Sequence, residues 1–415
     1  MQHLLHTVLQ GSPSASAPRP DEQAALAQPI HLSYCTNIHP GENWEALYLQ
    51  LQQHLPSIKN SVSPNTPMGV GLRLSARAAN ELLEYKHHLD TFKQWLEEQA
   101  LYVFTINGFP YGTFHATADI PQVKENVYEP DWTRPARLHY SQQLAEILAH
   151  LLPENCHGSI STVPVGFRTK VSNDEALQQA TQHLITFAEF AQKLQQRTGK
   201  YIRLALEPEP ACYLETIEDV QQFFTSFVFN TAHHHNIDLA TVRRHIGVCL
   251  DTCHSSVMFE EPQHFVAAMA TSDIPIYKIQ VTAALKIDSW QASHYAVLKP
   301  YAEPTYLHQT CIRDPHTGEV RFFLDLDQAL ESVQTGEELR SHFHVPVFAE
   351  ELHSISTTQQ DVTVFLQDFK RNPCCEHLEV ETYTFDVLPD TLMLGNISQS
   401  ISREISWVSQ HLQST

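Results

Sequence analysis

Short apolar runs alternate with longer stretches of helical periodicity along most of the chain. The first apolar run, 32–37, predicts a strand, and helical spacing follows at 44–54. Strands are expected at 68–74 and 101–106. Between them Ala78, Leu82, Leu83, Leu89, Phe92 and Leu96 recur at helical spacing over 75–99, with Ser75 placed to cap that helix. Asn107-Gly108-Phe109-Pro110 breaks the third strand, and a loop rich in proline and aromatic residues covers about 111–135. A helix at 137–151, a strand at 159–163 and an amphipathic helix at 174–196 come next. The fifth strand runs into Glu207, the sixth into Asp251, the seventh spans 276–281 and the last spans 377–382. Residues 389–412 predict a helix that covers the outside.

Repeated strand–helix units call for a parallel sheet buried on both faces, and eight such units close into a barrel. An open doubly wound sheet is the rival, but no glycine-rich turn follows the first strand to cradle a dinucleotide. The expected fold is therefore α/β, a (β/α)8 TIM barrel forming one domain over 29–415. One stretch exceeds the pattern. Residues 341–348 read as a further strand, and Asp314-Pro315-His316-Thr317-Gly318 reads as a hairpin turn. Either an insertion at about 286–340 follows the seventh strand, or the strands from the seventh onward are misnumbered. The first 28 residues carry Ser12, Pro13, Ser14, Ser16, Pro18 and Pro20 without a basic start and apolar stretch, and so read as a disordered tail.

Composition narrows the function. The formal charge is −21, which repels phosphate backbones and disfavours nucleic acid as a partner. No apolar run approaches a membrane span. The eight cysteines show no zinc-finger spacing, and a chain of 415 residues needs no disulfide staple. Reduced thiols and a cytoplasmic location are expected, with Cys249 and Cys253 serving packing.

The chemistry collects where strands end. Glu207, Asp251 and Glu381 bring carboxylates to three strand ends, and His254 follows Asp251 by three residues. Such a set suits a divalent ion, zinc or manganese first and magnesium as the harder alternative. Glu379 and Glu381 alternate along one strand and share a face, with Glu381 nearer the end. Glu209 competes with Glu207 in the same way. His342 and His344 alternate along the extra strand. The metal candidates from the residues are Glu207, Asp251, His254, His344 and Glu381, with Glu207 and Glu381 also the candidate proton carriers. Asn37, His39, Asn107, Tyr111, Arg168, His308 and Glu379 are candidates for holding substrate. For each, a helix cap, a salt bridge or ordinary loop polarity is the competing explanation.

Gly247-Val248-Cys249-Leu250-Asp251-Thr252-Cys253-His254 resembles the metal-binding strand of the xylose-isomerase-like barrel superfamily, which includes sugar isomerases, sugar epimerases and endonuclease IV. Glu207 resembles that group's fifth-strand glutamate and Glu381 its last-strand glutamate. The resemblance implies up to three metals at the C-terminal mouth of the barrel. A narrower resemblance is carried by 32–44, Phe109-Pro110-Tyr111-Gly112, 206–210, 342–346 and 377–384. These are similar to the EboE family, described as metabolite-traffic proteins encoded with other ebo genes. That family implies a role in moving secondary-metabolite precursors, a small-molecule ligand and other ebo-cluster proteins as partners. Two positions depart from the superfamily. Epimerases place a histidine on the seventh strand where this chain has Gln280, for which His344 could substitute. Endonuclease IV needs early-strand histidines where this chain offers Asn107. The expectation is a metal-dependent isomerase or epimerase type of protein with fewer than three metals. A non-catalytic metabolite carrier is the first alternative and a nuclease the more remote one.

Overall fold

The computed structural model describes residues 29–115, 124–171, 173–384 and 396–413. The tail expected at 1–28, part of the loop at 111–135 and the start of the helix expected at 389–412 lie outside the described residues.

Eight parallel strands form the barrel. They are β1 (His31–Tyr34), β2 (Met68–Arg73), β3 (Leu101–Asn107), β4 (Gly158–Thr162), β5 (Ile202–Leu206), β6 (Ile246–Asp251), β7 (Ile276–Val281) and, after an insertion, β14 (His377–Val380). They are hydrogen-bonded in the order β1-β14-β7-β6-β5-β4-β3-β2. A single parallel bridge between Cys35 and Gly71 closes β1 onto β2. β2 to β7 are buried nearly throughout, as a sheet covered on both faces requires. Helices such as Trp44–Val62, Pro135–Leu151, Asp174–Thr198 and Gln359–Arg371 pack outside, and Ile397–Gln413 lies against the first of these.

Three expectations shift. The helix expected over 75–99 is two, Ala76–Glu84 and Lys86–Glu98, broken at Tyr85, whose ψ of 79° is not helical. Ser75 does cap the first, accepting from Ala78 N at 3.0 Å. The insertion is longer than 286–340. It comprises β8 (Ala283–Ile287), β9 (Thr310–Arg313), β10 (Val320–Phe323), β11 (Glu338–Val345), β12 (Glu351–Leu352) and β13 (Ile355–Thr357). These make a separate six-stranded antiparallel sheet, ordered β10-β9-β11-β8-β13-β12. The run at 341–348 is therefore the end of an insertion strand and not a ninth barrel strand. The turn at 314–318 does join β9 to β10.

The sheet lies over the barrel mouth. Thr358 exchanges two hydrogen bonds with Ala284, its N donating to Ala284 O and its Oγ1 accepting from Ala284 N. Arg340 donates to Ser256 O at 2.8 Å. The register of β11 on β8 shifts between Ser341 and Val345. Such a bulge bends a strand and re-aims its side chains. Here it covers His342, Phe343 and His344.

Candidate metal centre

The C-terminal ends of β5, β6 and β14 bring Glu207, Asp251 and Glu381 together, one oxygen from each lying within 4.8 Å of the others. All three are buried. Burial, then the Asp251 carboxylate, pushes Glu207 up to about 8. Burial followed by Glu207 and Asp251 pushes Glu381 well above the usual carboxylate range. A protein rarely crowds buried acids in this way unless a cation offsets them.

Asp251 and Glu381 are each held by hydrogen bonds to one oxygen. Asp251 Oδ1 accepts from Cys253 N at 2.6 Å and His254 N at 3.1 Å, capping the helix Thr252–Val257, and from Thr282 Oγ1 at 2.6 Å. Its Oδ2 has no hydrogen-bond partner, and neither has Glu207 Oε2. Glu381 Oε1 accepts from Asn37 Nδ2 at 2.8 Å and Asn107 Nδ2 at 2.6 Å. Both asparagines line the cavity, but their amide nitrogens are engaged in orienting Glu381.

Three imidazoles approach from the other side. The first-turn position of His254 and the bulge in β11 aim them inward. His254 Nδ1 meets Pro208 O at 2.8 Å, His344 Nδ1 meets Glu381 O at 2.7 Å, and His342 Nδ1 meets Gln309 Oε1 at 2.8 Å. All three partners only accept, so each Nδ1 carries the proton and each Nε2 keeps a lone pair. This arrangement fixes metal-ligating histidines. His254 Nε2 and His344 Nε2 lie 3.8 and 3.9 Å from Asp251 Oδ2. His342 Nε2 is 3.0 Å from His344 Nε2. Two lone pairs at that separation repel unless a proton or a cation lies between them. Burial pushes His344 down to about 4 and His342 well below the ordinary imidazole value, which disfavours the proton. Burial alone would lower His254, but Asp251, Glu209 and Glu207 raise it.

The donor set therefore fits a divalent ion: buried oxygens without partners beside imidazole lone pairs of fixed tautomer. Asp251, His254 and His344 form one set within 4.8 Å of one another, and Glu209, His254 and His342 form another. Gln280 is buried beside Asp251 and Glu379 in register, with neither amide atom hydrogen-bonded.

Above these ligands lies a cavity of about 60 Å³, walled by Phe109, Phe114, Val127, Tyr128, Tyr306 and Tyr383. Glu209 enters it, accepting from Tyr128 Oη at 2.6 Å, while Gln309 Nε2 donates to the same Tyr128 oxygen at 2.9 Å. Lys124 stands at its edge, paired with Asp325 at 2.6 Å.

Five candidates for substrate contact sit away from the cavity. His39 is buried between Tyr34 Oη at 2.8 Å and the stacked ring of His54. Tyr111 packs on Tyr140 and Arg137. Arg168 is exposed and paired with Glu215 and Asp219. His308 is stacked on Phe343 and bonded to Glu303. Glu379 lies beneath the centre, paired with Lys278. His39, Tyr111 and Arg168 follow strands, but a strand's end does not decide whether a later side chain turns inward or toward a neighbouring loop. Tyr128, Gln309, Thr282 and Lys278 had no signal in sequence spacing. His342 did have one, its alternation with His344.

All eight cysteines are free. Among the described residues no helix is long and apolar enough to cross a membrane.

No protein-family model matches the chain, and no curated protein matches it. Several solved structures do. A D-tagatose 3-epimerase-like protein aligns with TM-score 0.49 and 10% identity, over 92% of this chain and 97% of its own. The structure described as the probable 3-DHS dehydratase AsbF, involved in petrobactin synthesis, from Bacillus anthracis aligns with TM-score 0.46 and 13% identity, over 92% and 99%. The IolI protein with a binding zinc atom aligns with TM-score 0.41 and 12% identity, over 92% and 98%. At TM-scores below 0.5 these likenesses assign no activity to a chain whose own strands and ligands define it as a (β/α)8 barrel with a candidate metal centre at its mouth.

Proposed function

We propose that this chain is a divalent-metal protein of the isomerase or epimerase type, moving a proton on a small oxygenated metabolite in the cytosol. The observation that carries the reading is the convergence of unpartnered, buried Glu207 Oε2 and Asp251 Oδ2 with the Nε2 lone pairs of His254 and His344. Glu207, Asp251 and Glu381 would hold the ion, and His344 would supply an imidazole nitrogen where Gln280 offers only an amide. Zinc or manganese suits this mixed set better than magnesium. A role in ebo-type metabolite traffic is supported by the motifs at 32–44, 206–210, 342–346 and 377–384.

Bound there, the ion would polarise the oxygens of a hydroxy-carbonyl substrate. The chain's own groups would do the rest. Asn37 and Asn107 hold Glu381 by one oxygen and leave the other to take or return a proton. Glu207, holding the ion through Oε2, would keep its other oxygen for the same role. Tyr128 and Gln309 fix Glu209 at the cavity wall, where it can accept from a substrate hydroxyl.

The first test is metal content. Glu207→Gln and Glu381→Gln should each lose bound metal by elemental analysis, and wild-type content in both would remove the metal assignment. The second test is turnover. Metal-loaded protein incubated with ketoses in D2O should exchange the hydrogen beside the carbonyl. Binding without exchange would make the protein a carrier instead.

A further inference from the structure

One layer below the centre, the barrel interior holds a second set of charges. Lys278 lies two residues before Gln280 on β7, and Glu379 lies two residues before Glu381 on β14. Their side chains are fully buried, with Lys278 Nζ 2.6 Å from Glu379 Oε2. Lys278 also donates to Ser161 Oγ at 3.3 Å. Neither Glu379 oxygen has a directed hydrogen bond, so the ammonium is its counter-charge. The space for this carboxylate is built into the seam. A Cβ on Gly71 would stand 1.5 Å from Glu379 Oε1 and 2.8 Å from Tyr34 O. Only glycine leaves room for Glu379 there.

Opposite charges 2.6 Å apart present little net charge to the carboxylates one residue layer above. Separately, a bare ammonium in this dry interior would compete with a divalent ion for the same carboxylates, because little solvent screens it.

We propose that the Lys278–Glu379 pair is a charge-neutral floor to the metal centre, with Glu379 a positioning residue that keeps the Lys278 ammonium off the metal-binding carboxylates. The inference rests on the metal reading above. It differs from a purely structural role, which would alter stability and leave ion affinity alone.

The experiment measures Mn2+ and Zn2+ affinity of the full-length protein by titration calorimetry with chelator competition. Folding is checked by circular dichroism. Glu379→Gln frees the ammonium and should weaken both ions about tenfold or more. The double variant Lys278→Met with Glu379→Gln removes both charges and should return affinity to within about threefold of wild type. Lys278→Met alone leaves only the acid, so its affinity should equal or exceed that of wild type. This variant also keeps the inference testable should Glu379→Gln fail to fold, since weakened binding in it would overturn the inference. Unchanged affinity in folded Glu379→Gln would overturn it, as would a double variant as weak as the single. Absence of ion binding by the wild type would overturn the metal reading and this inference together. Wild-type binding with unchanged Glu379→Gln removes only the inference.

Discussion

His344 on the insertion and Gln280 on the barrel are rival ligands of one centre, and the choice between them has a test. His344→Ala should lower zinc affinity by tenfold or more, whereas Gln280→Ala should change it less, as titration with a competing chelator would read. That choice was not legible in the sequence, because it depends on a bulge that brings an insertion strand over the barrel, and spacing along the chain does not record contact between sheets. Glu207, Asp251 and His254 were legible, because residues at a strand's end must face the barrel mouth or the next loop. Acidity supplies a second test. An acid whose folded pKa lies above its unfolded value binds its proton more tightly when folded. The resulting stability is present below the unfolded value and is lost as pH rises through the folded one. Glu207 and Glu404 sit at about 8 and Glu260 at about 7, each raised chiefly by burial. Buried histidines act the other way. His39 at about 3 and His344 at about 4 lose stability as pH falls below the imidazole's ordinary value. With chelator present, the urea midpoint should therefore fall between pH 6.5 and 8.5. Saturating zinc should reduce that fall, because the ion binds the ionised carboxylates. A midpoint independent of pH in this range would contradict the burial of these acids.

The same residue can serve an element and the centre at once. Asp251 caps the helix Thr252–Val257 with Oδ1 and turns Oδ2 to the metal set. Asparagine keeps the capping oxygen and loses the charge, whereas alanine loses both. Asp251→Asn and Asp251→Ala should therefore both lose metal. In chelator, the alanine variant should be less stable than the asparagine variant by about 1–2 kcal/mol, read by urea denaturation. Equal stability would mean the cap contributes nothing. The barrel strands could be read from their apolar runs, since a strand covered on both faces is apolar on both. The break at Tyr85 could not, because Leu82, Leu83, Leu89 and Phe92 keep their helical spacing across it. The insertion's early boundary at β8 was hidden for a related reason. β7 and β8 are separated only by Thr282, so two strands of different sheets read as one apolar stretch.

The whole molecule joins two sheets of opposite character, one parallel and closed, the other antiparallel and open, through a candidate metal centre lined by residues of both. Binding to the folded state alone stabilises it by RT ln(1 + [L]/Kd), about 2.7 kcal/mol at a hundredfold excess of ligand over Kd. Zinc should thus raise the thermal midpoint. It should also slow amide exchange in β11 together with β6 and β14, because one ion would tie all three. Protection confined to the barrel strands would mean that the imidazoles are not ligands. The bulged His342-Phe343-His344 segment carries a wider implication. On the proposed metal reading, carboxylates come from the barrel and nitrogens largely from the insertion, so preference between hard and borderline ions is lodged in a detachable part of the architecture. A lineage could then change its metal preference by rewriting one insertion strand while every barrel strand stayed as it was.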